Sequence, residues 1–134
     1  MCIRDSSGLH RFTALLGAVE VALDGSVNSE MRGQEIISGP GGAPDFAFGA
    51  ALATGGRVVV GLPSTAGGGA VSRIVAQIEP PKPVSLPAYL ADLIVTEHGV
   101  ADVRGLPLHP RAAAITAIAD PAHRAALGAH VPPS

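Results

Sequence analysis

A run of β-branched residues, Arg57-Val-Val-Val-Gly-Leu62, constrains the fold more than any other stretch of this chain. Its near-continuous apolarity predicts a strand that is buried on both faces of a sheet. An apolar segment with helical character (46–53) precedes this run, and an alanine-rich helical segment (111–119) follows later in the chain. Strands and helices that alternate in this way are typical of an α/β domain, so we expect an open sheet with flanking helices.

Composition excludes several classes of protein. The length of 134 residues fits one domain, and a formal net charge of −2 without a basic patch argues against a nucleic-acid binder. No apolar run approaches the ~20 residues of a membrane span. There is no signal-peptide pattern, and the single cysteine, Cys2, excludes an internal disulfide, so we expect a cytoplasmic protein. The 47% hydrophobic and 15% charged residues suggest a surface that lies against another domain or subunit.

Local patterns predict further elements. Asp24-Gly25 between apolar runs predicts a hairpin with strands over 18–23 and 26–29. Asp45 is a candidate N-cap for the helix over 46–53, and Asp120-Pro121 predicts the start of a final helix. We interpret residues 1–12 as an unreliable or truncated start, 13–130 as the domain and 131–134 as a tail. The other predicted elements are a short helix over 10–17, strands over 71–78 and 90–96, and a helix from Pro110 over 111–119.

A loop rich in glycine and proline, Ser38-Gly-Pro-Gly-Gly-Ala-Pro-Asp-Phe46, leads directly into the first helical segment. Glycines let the backbone approach a ligand closely, and a helix start points free N–H groups and a positive dipole end at one spot. Gly41 and Gly42 therefore either bind an anion or a developing oxyanion, or form a tight turn without a ligand. The loop matches neither the dinucleotide-binding nor the P-loop fingerprint.

Glu97 follows an apolar strand, at the place where open α/β sheets put their ligand sites. It either orients a substrate or is an exposed strand-end residue. His98 is the only histidine near a candidate site, and the five histidines lack metal-ligand spacing, so we expect no metal. Cys2 has no obvious His or Asp partner and there is no G-x-S-x-G elbow, so no nucleophile is evident.

Two dipeptides and two single polar residues each admit a functional and a structural interpretation. Ser64-Thr65 either binds an anion or is part of a plain surface loop. Ser72-Arg73 either contacts a phosphate or is part of an ordinary strand. Asn28 is either a site residue or a turn residue, and Asp45 is either a site residue or a helix cap.

Six ordered motifs, covering roughly residues 18–127, resemble the C-terminal domain of the acetyl-CoA hydrolase/transferase family. That family includes 4-hydroxybutyrate CoA-transferases and succinyl-CoA:acetate CoA-transferases. The motifs are Glu20-Val-Ala-Leu-Asp-Gly-Ser-Val-Asn-Ser29, Ser38-Gly-Pro-Gly-Gly-Ala-Pro-Asp-Phe46, Leu62-Pro-Ser-Thr-Ala66, Ser72-Arg-Ile-Val75, Val95-Thr-Glu-His-Gly-Val-Ala-Asp-Val-Arg-Gly105 and Ala117-Ile-Ala-Asp-Pro-Ala-His-Arg124.

The resemblance implies an open sheet of the NagB/RpiA/CoA-transferase type, with the active site between two similar domains. It implies transfer of coenzyme A, a substrate, between a short-chain acyl-CoA and a carboxylate through an acyl-glutamyl anhydride and a glutamyl-CoA thioester. Hydrolases of the family let water complete the reaction. Gly42, beside Gly41, matches the oxyanion-hole glycine, and Glu97 matches a second active-site glutamate that is not the nucleophile.

Two departures from the family pattern affect function. The family's nucleophilic glutamate lies upstream of this domain, and none of Glu20, Glu30 and Glu35 lies in a motif that matches the nucleophile's, so we expect it on a missing N-terminal domain. Gly67-Gly68-Gly69 stands where the family often has a lysine, which weakens the case for a CoA phosphate contact there. We expect this chain to be inactive alone and the full-length protein to be a homodimer. The alternatives are a non-catalytic anion- or nucleotide-binding α/β module and a purely structural α/β domain.

Overall fold

The computed structural model describes residues 3–134, in which open β-sheets are flanked by helices. The expected α/β class is therefore confirmed. A single 3₁₀ turn, Ala88–Leu90, precedes the last strand pair. The helices are α1 (Ile3–Ser7), α2 (Ala43–Leu52), α3 (Leu108–Ala117) and α4 (Pro121–Gly128).

The strands are mostly short and form four sheets. In chain order they are β1 (Thr13–Gly17), β2 (Glu20–Ala22), β3 (Val27–Asn28), β4 (Met31–Arg32), β5 (Glu35–Ile36), β6 (Arg57–Gly61), β7 (Thr65–Ala66), β8 (Val71–Ser72), β9 (Ile74–Val75), β10 (Leu93–Thr96) and β11 (Gly99–Asp102).

The main sheet has the order β1-β6-β10-β11, with β1, β6 and β10 parallel and β11 antiparallel. Val58 and Val60 of β6 are fully buried, whereas Val59 between them is only half-buried. Burial of β6 is thus complete on one face, not on both as predicted, because the described residues cover the other face incompletely. The carboxyl ends of β1, β6 and β10 lie at one edge of the sheet, which we call the carboxyl edge.

Helix α2 runs antiparallel to the strands on which it packs. The carbonyl of Thr54, just after α2, accepts a 2.8 Å hydrogen bond from Arg11 N, just before β1. Arg57 N donates to Phe12 O at 3.0 Å, so the end of α2 lies at the amino ends of β1 and β6. A helix of 10 residues is about 15 Å long, close to the length of a five-residue strand. From this direction we infer that the start of α2, with the glycine loop before it, lies toward the carboxyl edge.

A second sheet, β3-β2-β9, is built on the predicted hairpin. Ala22 N donates to Ser26 O at 2.9 Å across the turn, and Gly25 has φ of 94°, a conformation that favours glycine. The Asp24-Gly25 prediction is therefore confirmed. Val21 of β2 and Ile74 of β9 are fully buried and face each other in register.

The strand predicted over 71–78 is wrong as a single element. It consists of two short strands, β8 and β9, that belong to different sheets. The Ser72 hydroxyl donates to Ile74 O at 2.7 Å, and Arg73 between them belongs to neither strand. Arg73 O then accepts from Val21 N at 2.9 Å, so the chain leaves β8 to join β2.

Two predictions around β1 and α2 are also wrong. Residues 13–17 form strand β1 and not a helix, because pairing with β6 along all of its residues overrides local preference. Gly42, not Asp45, is the N-cap of α2 and makes no side-chain cap bond. Asp45 lies within the first helical turn, where its carboxylate complements the helix dipole.

The C-terminal half follows its predictions more closely. The strand predicted over 90–96 begins at Leu93, and α3 begins at Leu108, two residues before Pro110. Asp120 caps α4 by accepting from Ala122 N at 2.9 Å, which confirms the predicted start. Val131 is half-buried against the core. Within residues 3–134, no helix combines the length and apolarity needed to cross a bilayer.

Candidate functional site

Glu97 and Ser64 meet at the carboxyl edge of the main sheet. Ser64 follows β6 and Glu97 follows β10, and the two strands are parallel neighbours. The Ser64 hydroxyl donates to Glu97 Oε1 at 2.6 Å, and the Ser64 amide donates to Oε2 at 2.8 Å. Ser64 is fully buried, whereas the Glu97 side chain is 50% exposed. The carboxylate is thus fixed by the protein on one side and open to solvent on the other.

These hydrogen bonds lower the pKa of Glu97 from 4.5 to about 2. The bond from the Ser64 hydroxyl is the largest cause, followed by bonds from the backbone amides of Glu97 and Ser64. Partial desolvation opposes the shift, and His98 adds a small lowering. Glu97 is therefore ionised at neutral pH and acts as a hydrogen-bond acceptor or a fixed negative charge, not as a proton donor.

His98 lies between two carboxylates. Its Nε2 is 3.8 Å from Glu97 Oε1 and 3.6 Å from Asp120 Oδ2, beyond hydrogen-bond distance in both cases. The turn that holds it is anchored by Thr96, which accepts from His98 N at 3.1 Å and donates to Ile118 O at 2.6 Å. The start of α4 is thereby fixed beside Glu97.

The backbone amides of Gly41 and Gly42 donate no hydrogen bond within residues 3–134. Gly41 has φ of 55°, and Gly42 precedes α2 and accepts from Phe46 N at 3.0 Å. No hydrogen bond among residues 3–134 has either glycine amide as its donor, and both residues are exposed. Both N–H groups are thus left without an acceptor in the part of the chain that the structure describes.

Asn28 is a fully buried residue of β3 and not a simple turn residue. Its Oδ1 accepts from the amides of Glu30 and Met31, both at 3.0 Å, and its Nδ2 donates to Met31 O at 2.7 Å. It also donates to Glu20 Oε1 at 3.3 Å. Asn28 therefore holds the chain just upstream of the glycine loop.

The segment between Asn28 and the glycine loop is anchored a second time. Ser85 accepts from Ser29 N at 2.9 Å and donates to Glu30 Oε2 at 2.6 Å. The Ser38 hydroxyl donates to Ser29 O at 3.1 Å, which joins the start of the loop to the end of β3. This support was not evident from sequence, because Ser85 is far from Ser29 along the chain.

The other glutamates and the second glycine loop lie elsewhere. Glu20 forms an ion pair with Lys82 at 2.7 Å, and Glu35 is exposed on β5. His123 Nε2 lies 2.9 Å from the carbonyl oxygen of Gly69, so α4 contacts the second glycine loop. Cys2 lies outside the described residues. Within residues 3–134, no group of His, Cys, Asp and Glu has the geometry of a metal site.

The sequence singled out Ser64 and Glu97 separately but did not bring them together. Their contact depends on the register of β6 and β10, in which Leu93 lies opposite Val59. Local patterns do not contain that register. The sequence did contain one signal for this contact. One apolar strand ends at Glu97 and another ends just before Ser64, and parallel neighbours would bring these two ends together.

The architecture and this edge site define an α/β domain of the CoA-transferase type. A family model described as the acetyl-CoA hydrolase/transferase C-terminal domain matches residues 5–131. The chain belongs to this family.

Similar proteins are CoA-transferases. The chain is 44% identical over 109 residues to 4-hydroxybutyrate coenzyme A transferase of Clostridium kluyveri, covering 81% of this chain and 25% of that protein. It is 38% identical over 121 residues to butyryl-CoA:acetate CoA-transferase of Anaerostipes caccae, covering 88% and 27%. The crystal structure of 4-hydroxybutyrate CoA-transferase from Porphyromonas gingivalis superimposes with a TM-score of 0.79 at 32% identity, covering 97% of this chain and 28% of that one. The chain thus spans about a quarter of the length of these relatives.

Proposed function

We propose that this chain supplies the C-terminal side of the active site of a CoA-transferase or acyl-CoA hydrolase. The full protein would move CoA between a short-chain acyl-CoA and a carboxylate, or to water, through a glutamyl-CoA thioester. Coenzyme A would act as a substrate. The names of the relatives support transfer of CoA between carboxylic acids.

Two features of the chain support this proposal best, and we place both at the carboxyl edge. One is the pair of unused amides at Gly41 and Gly42, ahead of α2. The other is the ionised carboxylate of Glu97, held by Ser64. Attack on a thioester carbonyl places negative charge on its oxygen, and preorganised N–H donors stabilise that charge.

The two features have complementary roles in the proposed reaction. The Gly42 amide would donate to the oxyanion of the tetrahedral intermediate, with the dipole of α2 adding to its attraction. Glu97, with its pKa near 2, is too weak a base to take up a proton at neutral pH. It would instead orient the reacting groups by accepting hydrogen bonds or by holding a cationic neighbour.

The nucleophile would come from outside this chain. Glu20 is paired with Lys82 at 2.7 Å, and Glu30 accepts a 2.6 Å hydrogen bond from Ser85. Neither carboxylate is available for attack, and Glu35 projects from the exposed hairpin of β4 and β5. We place the attacking glutamate on an N-terminal domain of the full protein, across a cleft from the carboxyl edge.

Exposed apolar side chains support an interface with such a domain or with a second copy of the protein. Leu15 of β1 is 76% exposed and Leu52 of α2 is 67% exposed. Large aliphatic side chains exposed to this degree on the main sheet and its covering helix are consistent with a surface that another part of the protein covers.

The test is thioester exchange by a longer protein that contains this chain behind a glutamate-bearing domain. We expect exchange between a short-chain acyl-CoA and acetate, and borohydride trapping of a glutamyl-CoA thioester. Glu97→Gln should reduce turnover, whereas the matched variant Glu35→Gln, on the exposed hairpin, should not. Full activity of Glu97→Gln, or failure to trap a glutamyl thioester during turnover, would refute the assignment.

A second candidate is an anion- or nucleotide-binding module without catalysis. The observation that favours it is a cleft with two arginines, Arg32 and Arg73, that lack ionic partners among residues 3–134. This candidate predicts ligand binding without exchange by the longer protein. The same exchange assay therefore separates the two functions.

A further inference from the structure

A cleft of about 100 Å³ opens where the second sheet meets the two small hairpins. The turn of β4–β5 contributes Arg32 and Gly33, and the β7–β8 hairpin contributes Ser72, with Arg73 following it. Its volume corresponds to about three water molecules at ~30 Å³ each. The cleft therefore has room for one small polar group.

Two arginines without ion-pair partners among the described residues line the cleft. Arg32 is exposed and Arg73 is half-buried. Among residues 3–134, neither side chain forms an ion pair or a hydrogen bond. Arginine stays protonated in proteins, and its planar fork of N–H donors fits a carboxylate or a phosphate. A half-buried guanidinium without a partner is costly, so an anion that enters this cleft is attracted to Arg73.

The one carboxylate in the cleft is already neutralised. Glu20 lines the cleft, but its Oε1 lies 2.7 Å from Lys82 Nζ and 3.3 Å from Asn28 Nδ2. Ser72 does not offer its hydroxyl proton, because it donates to Ile74 O at 2.7 Å. Among the residues that line the cleft, Arg32 and Arg73 outnumber Glu20, so the formal charge of the lining is positive.

We propose that this arginine cleft binds an oxyanion group, a carboxylate or a phosphate, of the substrate. Arg73 N donates to Ser64 O at 2.8 Å, so the cleft adjoins the residue that holds Glu97. The identification of the anion as part of the substrate rests on the proposed function. The binding itself does not, since it depends only on the two arginines. Two substrates of that reaction carry such an oxyanion group: CoA has phosphates, and the acceptor has a carboxylate.

The test is a titration of this 134-residue chain, at constant ionic strength, followed by the Nε–Hε NMR signals of its arginines. The probes are inorganic phosphate, acetate, coenzyme A and 3′-dephospho-coenzyme A. We expect at least one probe to shift the signals of Arg32 and Arg73, and Arg73→Gln to weaken its binding about tenfold or more. Arg73→Lys, which keeps the charge but loses the fork, should give an intermediate loss.

The matched control is Arg57→Gln. Arg57 is exposed at the amino end of β6, far from the carboxyl edge, and its loss should leave affinity unchanged. Arg32→Gln, at an exposed position, tests the cleft without disturbing the chain around Arg73. Thermal unfolding of each variant identifies any loss of affinity that is caused by loss of fold.

Comparison of the four probes identifies which anionic group, the CoA phosphate or the acceptor carboxylate, occupies the cleft. Tighter binding of coenzyme A than of its dephospho form identifies the 3′-phosphate as the occupant, and saturation by acetate identifies the acceptor carboxylate. The proposal is overturned if no probe shifts Arg32 and Arg73, or if Arg73→Gln and Arg32→Gln both bind as the parent does. Because no turnover is measured, anion binding here together with absent exchange in the longer protein would refute the catalytic proposal alone.

Discussion

The buried hydroxyl of Ser64 donates a 2.6 Å hydrogen bond to Glu97, so that the loops after two neighbouring parallel strands act on one carboxylate. Ser64→Ala removes the largest cause of the lowered pKa of Glu97 and leaves the bond from the Ser64 amide in place. We expect the pKa of Glu97 to rise from about 2 toward its ordinary value of 4.5 in this variant. Titration of the ¹³C carboxyl signal of Glu97 measures the shift.

Ser72→Ala is the matched control for that titration. The Ser72 hydroxyl bonds only to the carbonyl of Ile74, away from Glu97, so its removal should leave the titration of Glu97 as it is in the parent chain. An unchanged Glu97 titration in Ser64→Ala would contradict the assignment of the Ser64 hydroxyl as the main cause.

The lowered pKa of Glu97 also predicts a pH dependence of stability. Because the folded value of about 2 lies below the ordinary value of 4.5, the unfolded chain takes up the proton first as the pH falls. The stabilising contribution is therefore complete above about pH 4.5 and is lost as the pH falls toward 2. Urea unfolding of the parent and of Glu97→Gln at several pH values should give a stability difference that is constant above this window and shrinks within it. A difference that does not change with pH would count against the prediction.

The position of Gly42 predicts a steric as well as a functional effect of substitution. A Cβ at this position would lie 3.0 Å from Cε2 of Phe46 and 3.3 Å from its Cδ2. Phe46 itself packs near Phe12, with ring centroids 6.4 Å apart. We expect Gly42→Ala to destabilise the chain by about 1 kcal/mol, and clearly less in a Phe46→Leu background. Chemical denaturation of the four chains of this double-mutant cycle measures both values.

A second cycle, with Gly42→Val in place of Gly42→Ala, separates packing from catalysis in a longer, active protein. Gly42→Val should lower exchange by about 10²–10³-fold even with Phe46→Leu present, because its side chain blocks approach of the oxyanion to the amide. Recovery of exchange on adding Phe46→Leu would show that Gly42 matters only for packing, and the oxyanion role would be withdrawn.

Asp92 is predicted to stabilise the start of the main sheet. Its buried carboxylate accepts from Val58 N at 2.8 Å and pairs with the Arg104 guanidinium, whose Nη2 lies 2.7 Å from Oδ2. Arg104 also donates to Gly56 O at 2.8 Å. Asp92→Ala leaves the buried Val58 N without its acceptor and Arg104 without its counter-charge, and should lower the free energy of unfolding by about 2 kcal/mol. Equilibrium unfolding in urea measures the change.

Asp102 provides the comparison for Asp92. It is an exposed carboxylate on the same strand pair, opposite Leu93, and accepts only a long 3.4 Å bond from Arg104 N. Asp102→Ala should change stability by less than about 0.5 kcal/mol. Equal effects of the two substitutions would show that the buried pair has no special role.

Elements specified by local chemistry were predictable from the sequence. The hairpin at Asp24-Gly25 and the helix capped by Asp120 depend on residues a few positions apart, and both are confirmed. Glu97 was predictable as a strand-end residue, because the apolar run before it and the turn after it are adjacent in sequence. The membership of the family rested on several motifs in order, which is more specific than any one of them.

Features that depend on distant pairing were not predictable. Residues 13–17 form β1 only because β6 supplies hydrogen bonds from far along the chain. The contact of Ser64 with Glu97, and the support of the glycine loop by Asn28 and Ser85, depend on strand register and on loop packing in the same way. Local propensity contains no information about such partners.

The place of β1 at the end of the main sheet affects how this chain behaves when it is produced alone. Its outer backbone groups face no further strand within residues 3–134, and Leu15 beside them is largely exposed. An open strand edge of this kind is a template for a strand from another molecule. We therefore expect concentration-dependent oligomers of the isolated chain, and a lysine in place of Leu15 should keep it monodisperse during purification.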